Sequence, residues 1–304
     1  MSKNKVVIIG GSGIHDSPGF KNILWRTFDV GAPPGITRRE EEQEKIDADK
    51  LITLGVIEYQ KRNDGVIFIP RHGHTVKYAP HLTQYVENGL AASMLGDVVI
   101  ATSAVGTYHP KIIKVGGLVV PDDYINLTTG RRFDPYGYGI TVHANPRPAF
   151  TEEIRDILLD SAYEHEKAFN GVTDGATYLT MDGPRFGSKA EGQMRKQYAH
   201  LAGMTCNPEA DIMTYLGMPY ALAAFVVDED TDADHELSTL AVMKRLSEPD
   251  KVPSFIEDAI EFAKDMDLPE SDQRIATVII EQGLERITNI YAIKRAEYLI
   301  EKYR

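Results

Sequence analysis

Four short segments carry donors suited to one small anion. They are Gly10-Gly11-Ser12-Gly13, Arg71-His72-Gly73, Thr102-Ser103-Ala104-Val105-Gly106 and Gly203-Met204-Thr205. Glycines let a backbone approach a ligand closely and present its N–H groups. Arginine offers a planar fork that matches two phosphate oxygens, and a neighbouring imidazole or hydroxyl adds a donor. Each segment alone has an ordinary explanation: a strand-ending turn, a surface Arg-His pair, or small residues chosen for packing. Together, each after or close to an apolar run, they point to a fold that gathers them around a phosphate. A dinucleotide fingerprint is not met, because Asp16 stands where Gly11-x-Gly13 would need its third glycine.

Further residue types suit a heterocycle and a sugar. Phe186, after the Gly183-Pro184 turn, has a face on which a flat base could stack, although burial is the commoner fate of such a ring. Met204 offers an apolar thioether to a sugar. Asp228 and Asp230 follow directly on the apolar run Tyr220 to Val227. A carboxyl group there can accept from an exocyclic amine or share a proton with a ring nitrogen. The acids beyond them, Asp232, Asp234 and Glu236, read as solvated. Cys206 has no local histidine and reads as structural. His74 and His81 lack both an H-E-x-x-H spacing and a cysteine partner, so no metal is expected.

Continuous β-branched runs must position these groups. Val6-Val7-Ile8-Ile9, Val66 to Ile69, Val98 to Ala101, Leu118 to Val120, Ala176 to Thr180 and Tyr220 to Val227 read as strands, most of them buried. Helical spacing alternates with them, over His81 to Leu95, Thr151 to Phe169 with Thr151 as N-cap, and Ser188 to Ala202. The alternation predicts an α/β fold, a central mixed β-sheet flanked by helices, in a single domain over residues 1–304. Residues 33–50 read as a charged surface insertion and 253–304 as a helical tail.

Composition narrows the partners. The 304 residues are 42% hydrophobic and 26% charged, ordinary globular usage. The net charge of −12 disfavours nucleic acid and anionic membranes, and any phosphate must be held by local donors against the overall field. The lone cysteine forbids an intrachain disulfide, and the apolar stretch before Gly10 is too short for a secretory signal. No run approaches the length of a membrane span. A cytoplasmic protein is expected.

In order and spacing, these motifs resemble the trimeric purine nucleoside phosphorylase family, in its methylthioadenosine phosphorylase branch. The matching segments are Ile9 to Gly13, Arg71-His72-Gly73, Thr102 to Gly106, Asp182-Gly183-Pro184-Arg185-Phe186, Met204-Thr205 with Pro208-Glu209, and Asp228 with Asp230, within roughly residues 5–250. The resemblance implies a phosphate site at Ser12, Arg71, His72, Ser103, Ala104 and Thr205. It implies purine contacts at Phe186 and Asp228 with Asp230 beside them, and a ribose contact at Met204. An aspartate at 228 resembles the 6-aminopurine enzymes, and an ionised carboxylate can indeed accept from an adenine amine but offers only lone pairs to a carbonyl.

The implied activity is phosphorolysis of 5′-methylthioadenosine, with inorganic phosphate as co-substrate and no cofactor. Asp228 would assist the leaving base, and a homotrimer or hexamer is implied. A 5′ pocket would draw on His143, Thr239, Val242 and Met243. Departures are Val76 where related enzymes often have histidine, Gly203 where the methylthio branch usually has asparagine and the 6-oxopurine branch glycine, and the long insertion. A phosphorylase for 6-oxopurine nucleosides or methylthioinosine, and a non-catalytic nucleotide-binding module, remain the alternatives.

Overall fold

Val6, Val7, Ile8 and Ile9 are fully buried, as β-branched residues on a covered pleated surface should be. The computed structural model describes residues 3–11, 19–20, 23–30, 56–136, 140–230, 252–268 and 275–280. Its first strands are β1 (Val6–Gly10), β2 (Trp25–Asp29), β3 (Val56–Lys61), β4 (Ile67–Pro70), β5 (Val98–Thr107), β6 (Leu118–Val120) and β7 (Asp123–Asn126). They continue with β8 (Ile140–Ala144), β9 (Val172–Asp174), β10 (Thr177–Thr180), β11 (Leu201–Gly203), β12 (Tyr220–Glu229) and β13 (Ile275–Ile280). The helices are α1 (Tyr85–Leu95), α2 (Glu152–Glu164), α3 (Lys189–Arg195), α4 (Glu209–Tyr215) and α5 (Val252–Asp265).

Eleven strands form one mixed sheet, in the order β2-β3-β4-β1-β5-β11-β10-β7, with β12 also on β5 and β6 joining β12 to β9. β8 and β13 form a separate antiparallel pair. Helices α2 and α5 pack together, with α2 against β12, and α1 packs on α4. The predicted α/β class holds.

The register of β5 creates an opening. On one edge it pairs in parallel with β1 over Val98 to Ala101, then antiparallel with β11 at Gly106 and Thr107. Along the other edge β12 follows it from Val99 to Thr107. β1 and β11 therefore part at Thr102 to Val105, where neither ladder uses the backbone of β5. Ala104 is exposed there, in a strand whose other nine residues are buried.

Several local expectations are corrected. Thr102 to Gly106 does not follow a strand but lies within β5, because β12 holds that stretch extended after β1 has ended. Ser188 to Ala202 is not one helix. A reciprocal Ser188–Glu191 capping box starts α3, which ends at Arg195, and Leu201–Gly203 pairs with β10 as β11. Thr151 stands at the N-cap of α2, yet its hydroxyl accepts from Tyr220 N–H at 3.0 Å instead of capping the helix.

In the tail, α5 is helical as expected, but Ile275–Ile280 is a strand. Its run Ile-Ala-Thr-Val-Ile-Ile pairs with β8, so β-branched content and a partner strand override the helical spacing. Residues 31–55, with the insertion at 33–50, and residues 281–304 lie outside the described residues. Among the described residues no helix is long and apolar enough to cross a membrane.

Candidate active site

Arg71 begins the turn after β4, and its N–H donates to Gly10 O at 2.9 Å, tying it to the end of β1. Gly73, with φ of 77°, makes the turn that follows, and Asn88 on α1 donates to Arg71 O at 3.1 Å. The side chain runs inward. Its Nε and Nη2 donate to the two Glu209 carboxylate oxygens at 2.7 and 2.8 Å, Nη1 donates to Thr102 O at 2.8 Å, and Nη2 makes a long 3.4 Å contact to Ile9 O. Both members of the ion pair are 1% exposed.

The arginine fork meets a carboxylate of the protein, and Glu209 balances its charge. Among the described residues Nη1 makes the one hydrogen bond to Thr102 O, and a Cβ at Gly11 would lie 3.3 Å from that nitrogen.

His72 Nδ1 lies 3.0 Å from Thr83 Oγ1, and that hydroxyl donates to Ala79 O at 3.2 Å. The contact with Thr83 holds the imidazole in place. Ser103 and Thr205 hydroxyls stand 3.1 Å apart at the opening of the sheet, where the end of β11 reaches β5. Both are buried, and the Tyr178 hydroxyl is 3.0 Å from Ser103 Oγ. Segments from β4, β5 and the turn after β11 thus converge on one opening.

Met204 is half-buried, with its sulfur against Gly183: a Cβ on that glycine, whose φ is 66°, would lie 2.4 Å from Sδ. Its carbonyl is held at 2.8 Å by Arg131 Nη1. Arg131 also donates to Asn207 O and Asp182 O at 2.8 and 2.7 Å, so one buried guanidinium ties the loop bearing Phe186 to the loop bearing Thr205. Phe186 itself is 67% exposed. The usual fate of an aromatic ring is not its fate here.

Asp228 is aimed by an irregularity in β12. The register with β5 shifts between Val226 and Asp228, so that Asp228 comes opposite Gly106. A bulge of this kind redirects a side chain. Gly106 leaves the room: a Cβ there would lie 2.5 Å from Asp228 Oδ1 and 3.2 Å from Asp230 Cβ. Asp230 N–H donates to Thr107 O at 2.9 Å, and Gly192 of α3 packs against its carbonyl. Both aspartates are half-buried rather than fully solvated.

Not every expected residue joins this constellation. His143 is exposed and belongs to the separate β8–β13 pair, opposite Thr277. Ser12, Thr239, Val242 and Met243 lie outside the described residues, as do Asp232, Asp234 and Glu236. Cys206 is fully buried, and burial pushes its thiol well above the ordinary value, which suits a structural residue. Arg131 and Tyr178 carry no motif in the sequence, and Glu209, part of a matching segment, gives no sign there of its pairing with Arg71. Glu209 heads α4 and has no special spacing to Arg71, and Arg131 lies in a basic pair with no motif.

The buried Ser103–Thr205 hydroxyl pair thus stands at a break in a mixed sheet, with the Asp228 carboxylate on the adjoining strand β12. The chain belongs to the Phosphorylase superfamily, whose family model matches residues 5–261. It is 35% identical over 243 residues to the S-methyl-5′-thioadenosine phosphorylase of Pyrobaculum aerophilum, covering 79% of each chain. It is 35% identical over 250 residues to that of Thermococcus kodakarensis, covering 80% of this chain and 86% of the relative. Among solved structures, a methylthioadenosine phosphorylase from an antarctic soil metagenomic library shares the fold with a TM-score of 0.78 at 22% identity, over 98% of this chain and 99% of that one. The apo methylthioadenosine phosphorylase of Schistosoma mansoni gives a TM-score of 0.69 at 21% identity, over 99% of each.

Proposed function

We propose that this chain is a purine nucleoside phosphorylase that cleaves 5′-methylthioadenosine with inorganic phosphate, giving adenine and 5-methylthioribose 1-phosphate. The opening of the sheet at Thr102 to Val105, lined by the Ser103 and Thr205 hydroxyls, carries the reading. The 35% identity to two S-methyl-5′-thioadenosine phosphorylases supports it.

Phosphate lies along the open edge of β5. Ser103, the Ala104 backbone, Thr205, His72 and Ser12 bind it, with Arg71 behind them. A phosphate oxygen bonds to C1′ as the C1′–N9 bond breaks, and that electron pair leaves with the purine. Positive charge builds on the ribosyl ring in between, and the phosphate dianion stabilises it electrostatically. Asp228 hydrogen-bonds or protonates N7 of the departing base and, when ionised, accepts from the 6-amino group. Phe186 stacks on the purine, Asp230 steadies the acid loop, and Met204 lies along the ribose. His143, Thr239, Val242 and Met243 form the 5′ pocket, with His143 reaching it from a neighbouring subunit.

No metal or cofactor takes part in this scheme. It places the enzyme in cytoplasmic purine salvage, as a homotrimer or hexamer. Exposed Leu127 and Phe133, after β7, are side chains such an assembly would cover.

One observation favours a second reading: glycine at 203 resembles the 6-oxopurine enzymes. A panel of purine nucleosides, assayed for release of free base with and without phosphate, separates the two. Methylthioadenosine should be cleaved fastest, and Asp228→Asn should lose most of that activity while sparing inosine. Preferential cleavage of inosine by the unaltered protein selects the second reading. Absence of phosphate-dependent release from every nucleoside rejects both.

A further inference from the structure

Tyr178 is fully buried on β10, and its ring crosses the strand beside it. Tyr178 pairs with Leu201, so Gly203 is its diagonal neighbour on the same face of β11. A Cβ at 203 would lie 1.8 Å from the phenol oxygen and 2.2 Å from Cζ. The phenol therefore fills the place of a side chain at 203, and its oxygen reaches Ser103 Oγ at 3.0 Å. Ser103 in turn is 3.1 Å from Thr205 Oγ1, so three hydroxyls form a row that ends at the opening of the sheet.

Hydrogen direction matters in such a row. The phenol is the most acidic of the three groups and the best donor. Burial raises its pKa above the ordinary value, although hydrogen bonds with Ser103 and Thr205 oppose this, so it keeps its proton. Ser103 Oγ, accepting from Tyr178, has one hydrogen left, and among the described residues its backbone acceptor is Ala104 O at a long 3.3 Å. An anion at the open edge is a far better acceptor, and a hydroxyl that itself accepts a hydrogen bond donates more strongly.

We propose that Tyr178 is a positioning residue of the phosphate site: seated over Gly203, it donates to Ser103 and turns the Ser103 and Thr205 hydrogens toward the bound anion. This rests on the phosphorylase reading of the site. Tyr178→Phe keeps the ring and removes the oxygen. Its KM for phosphate should rise about fivefold to tenfold, the scale of one lost hydrogen bond. Its KM for the nucleoside should stay within twofold and its melting temperature within a few degrees.

Because Tyr178 acts through the Ser103 and Thr205 hydroxyls, adding Tyr178→Phe to the Ser103→Ala/Thr205→Val background should change the phosphate KM no further. An unchanged phosphate KM in Tyr178→Phe, equal rises in both KM values, or a further rise when Tyr178→Phe is added to the background lacking both hydroxyls would overturn the proposal. Should the unaltered protein cleave no nucleoside, the phosphorylase reading fails instead. Calorimetric titration of unaltered protein and Tyr178→Phe with inorganic phosphate alone then decides the inference: weaker binding by the variant supports it, and equal binding, or none by either, ends it.

Discussion

Arg71 and Glu209 lie buried against each other, joined by two hydrogen bonds of 2.7 and 2.8 Å. Burial by itself would lower the Arg71 pKa, but the adjoining Glu209 charge outweighs it and keeps the guanidinium protonated. The pair is close to neutral, so under the proposed phosphorolysis a chain of net charge −12 would hold its anion mainly by dipoles: hydroxyls and backbone N–H groups.

Removing one partner leaves the other charge buried alone. Glu209→Ala should lower the unfolding free energy by about 3–5 kcal/mol, measured as a shift in urea midpoint. Glu209→Gln keeps a hydrogen-bond acceptor for Tyr220, which donates to Glu209 at 2.9 Å, and should lose less. It also unmasks the Arg71 charge, so its KM for phosphate should fall even as stability falls. A rise in that KM would contradict the view that Glu209 balances Arg71.

Gly106 is the floor on which Asp228 rests. Gly106→Ala places a Cβ 2.5 Å from Asp228 Oδ1, and the carboxylate must shift. In the proposed mechanism Asp228 serves the departing base and not the phosphate. The expected result is a fall in kcat/KM for the nucleoside of about tenfold or more, as for other misplaced catalytic groups, with phosphate KM unchanged. Steady-state kinetics varying each substrate in turn measures both.

Acid sensitivity should come in part from the turn between β3 and β4. Asp64 accepts from Lys264 and Arg62 at 2.8 Å each, and Arg62 also pairs with Glu257 of α5. Burial pushes the Asp64 carboxyl up, but the hydrogen bonds from Lys264 and Arg62 outweigh it and hold the group below its ordinary value. Its stabilising contribution is complete above the unfolded-state value of about 3.9 and is lost as pH falls through the lower folded-state value. Asp64→Asn should therefore melt earlier than the unaltered protein at neutral pH, and the gap should close on acidification below that value. Thermal melts across pH 2–7 check this, and a gap that widens in acid would reverse the sign.

What was legible in the sequence was local. β1, β4 and β12 announce themselves as continuous apolar runs, and the helix expected from Ser188 begins there, as α3 behind its Ser188 N-cap. The second half of β5 could not be read that way. Thr102-Ser103-Ala104-Val105-Gly106 has weak strand character, and its extension depends on β12, which arrives more than 100 residues later. The aim of Asp228 depends on a register shift against β5, and the partner of Arg71 comes from α4. Each is a relation between distant segments, for which spacing along the chain carries no signal.

Gly203 is where a departure in the sequence finds its physical cause. Asparagine is the residue the methylthio resemblance leads one to expect there, and Tyr178 already occupies its volume. Gly203→Asn alone must displace a fully buried phenol and with it the hydroxyl row to Ser103. Overpacking of this kind costs about 1–3 kcal/mol or more. Tyr178→Ala opens a cavity of its own, costing about 3–5 kcal/mol by analogy with other buried aromatic truncations. If the two side chains compete for one space, the losses do not add. The double variant Tyr178→Ala/Gly203→Asn should then be more stable than the sum of the single losses predicts, with a coupling energy of about 1–3 kcal/mol. A double-mutant cycle on urea unfolding measures it, and additive losses would mean that position 203 is not set by Tyr178.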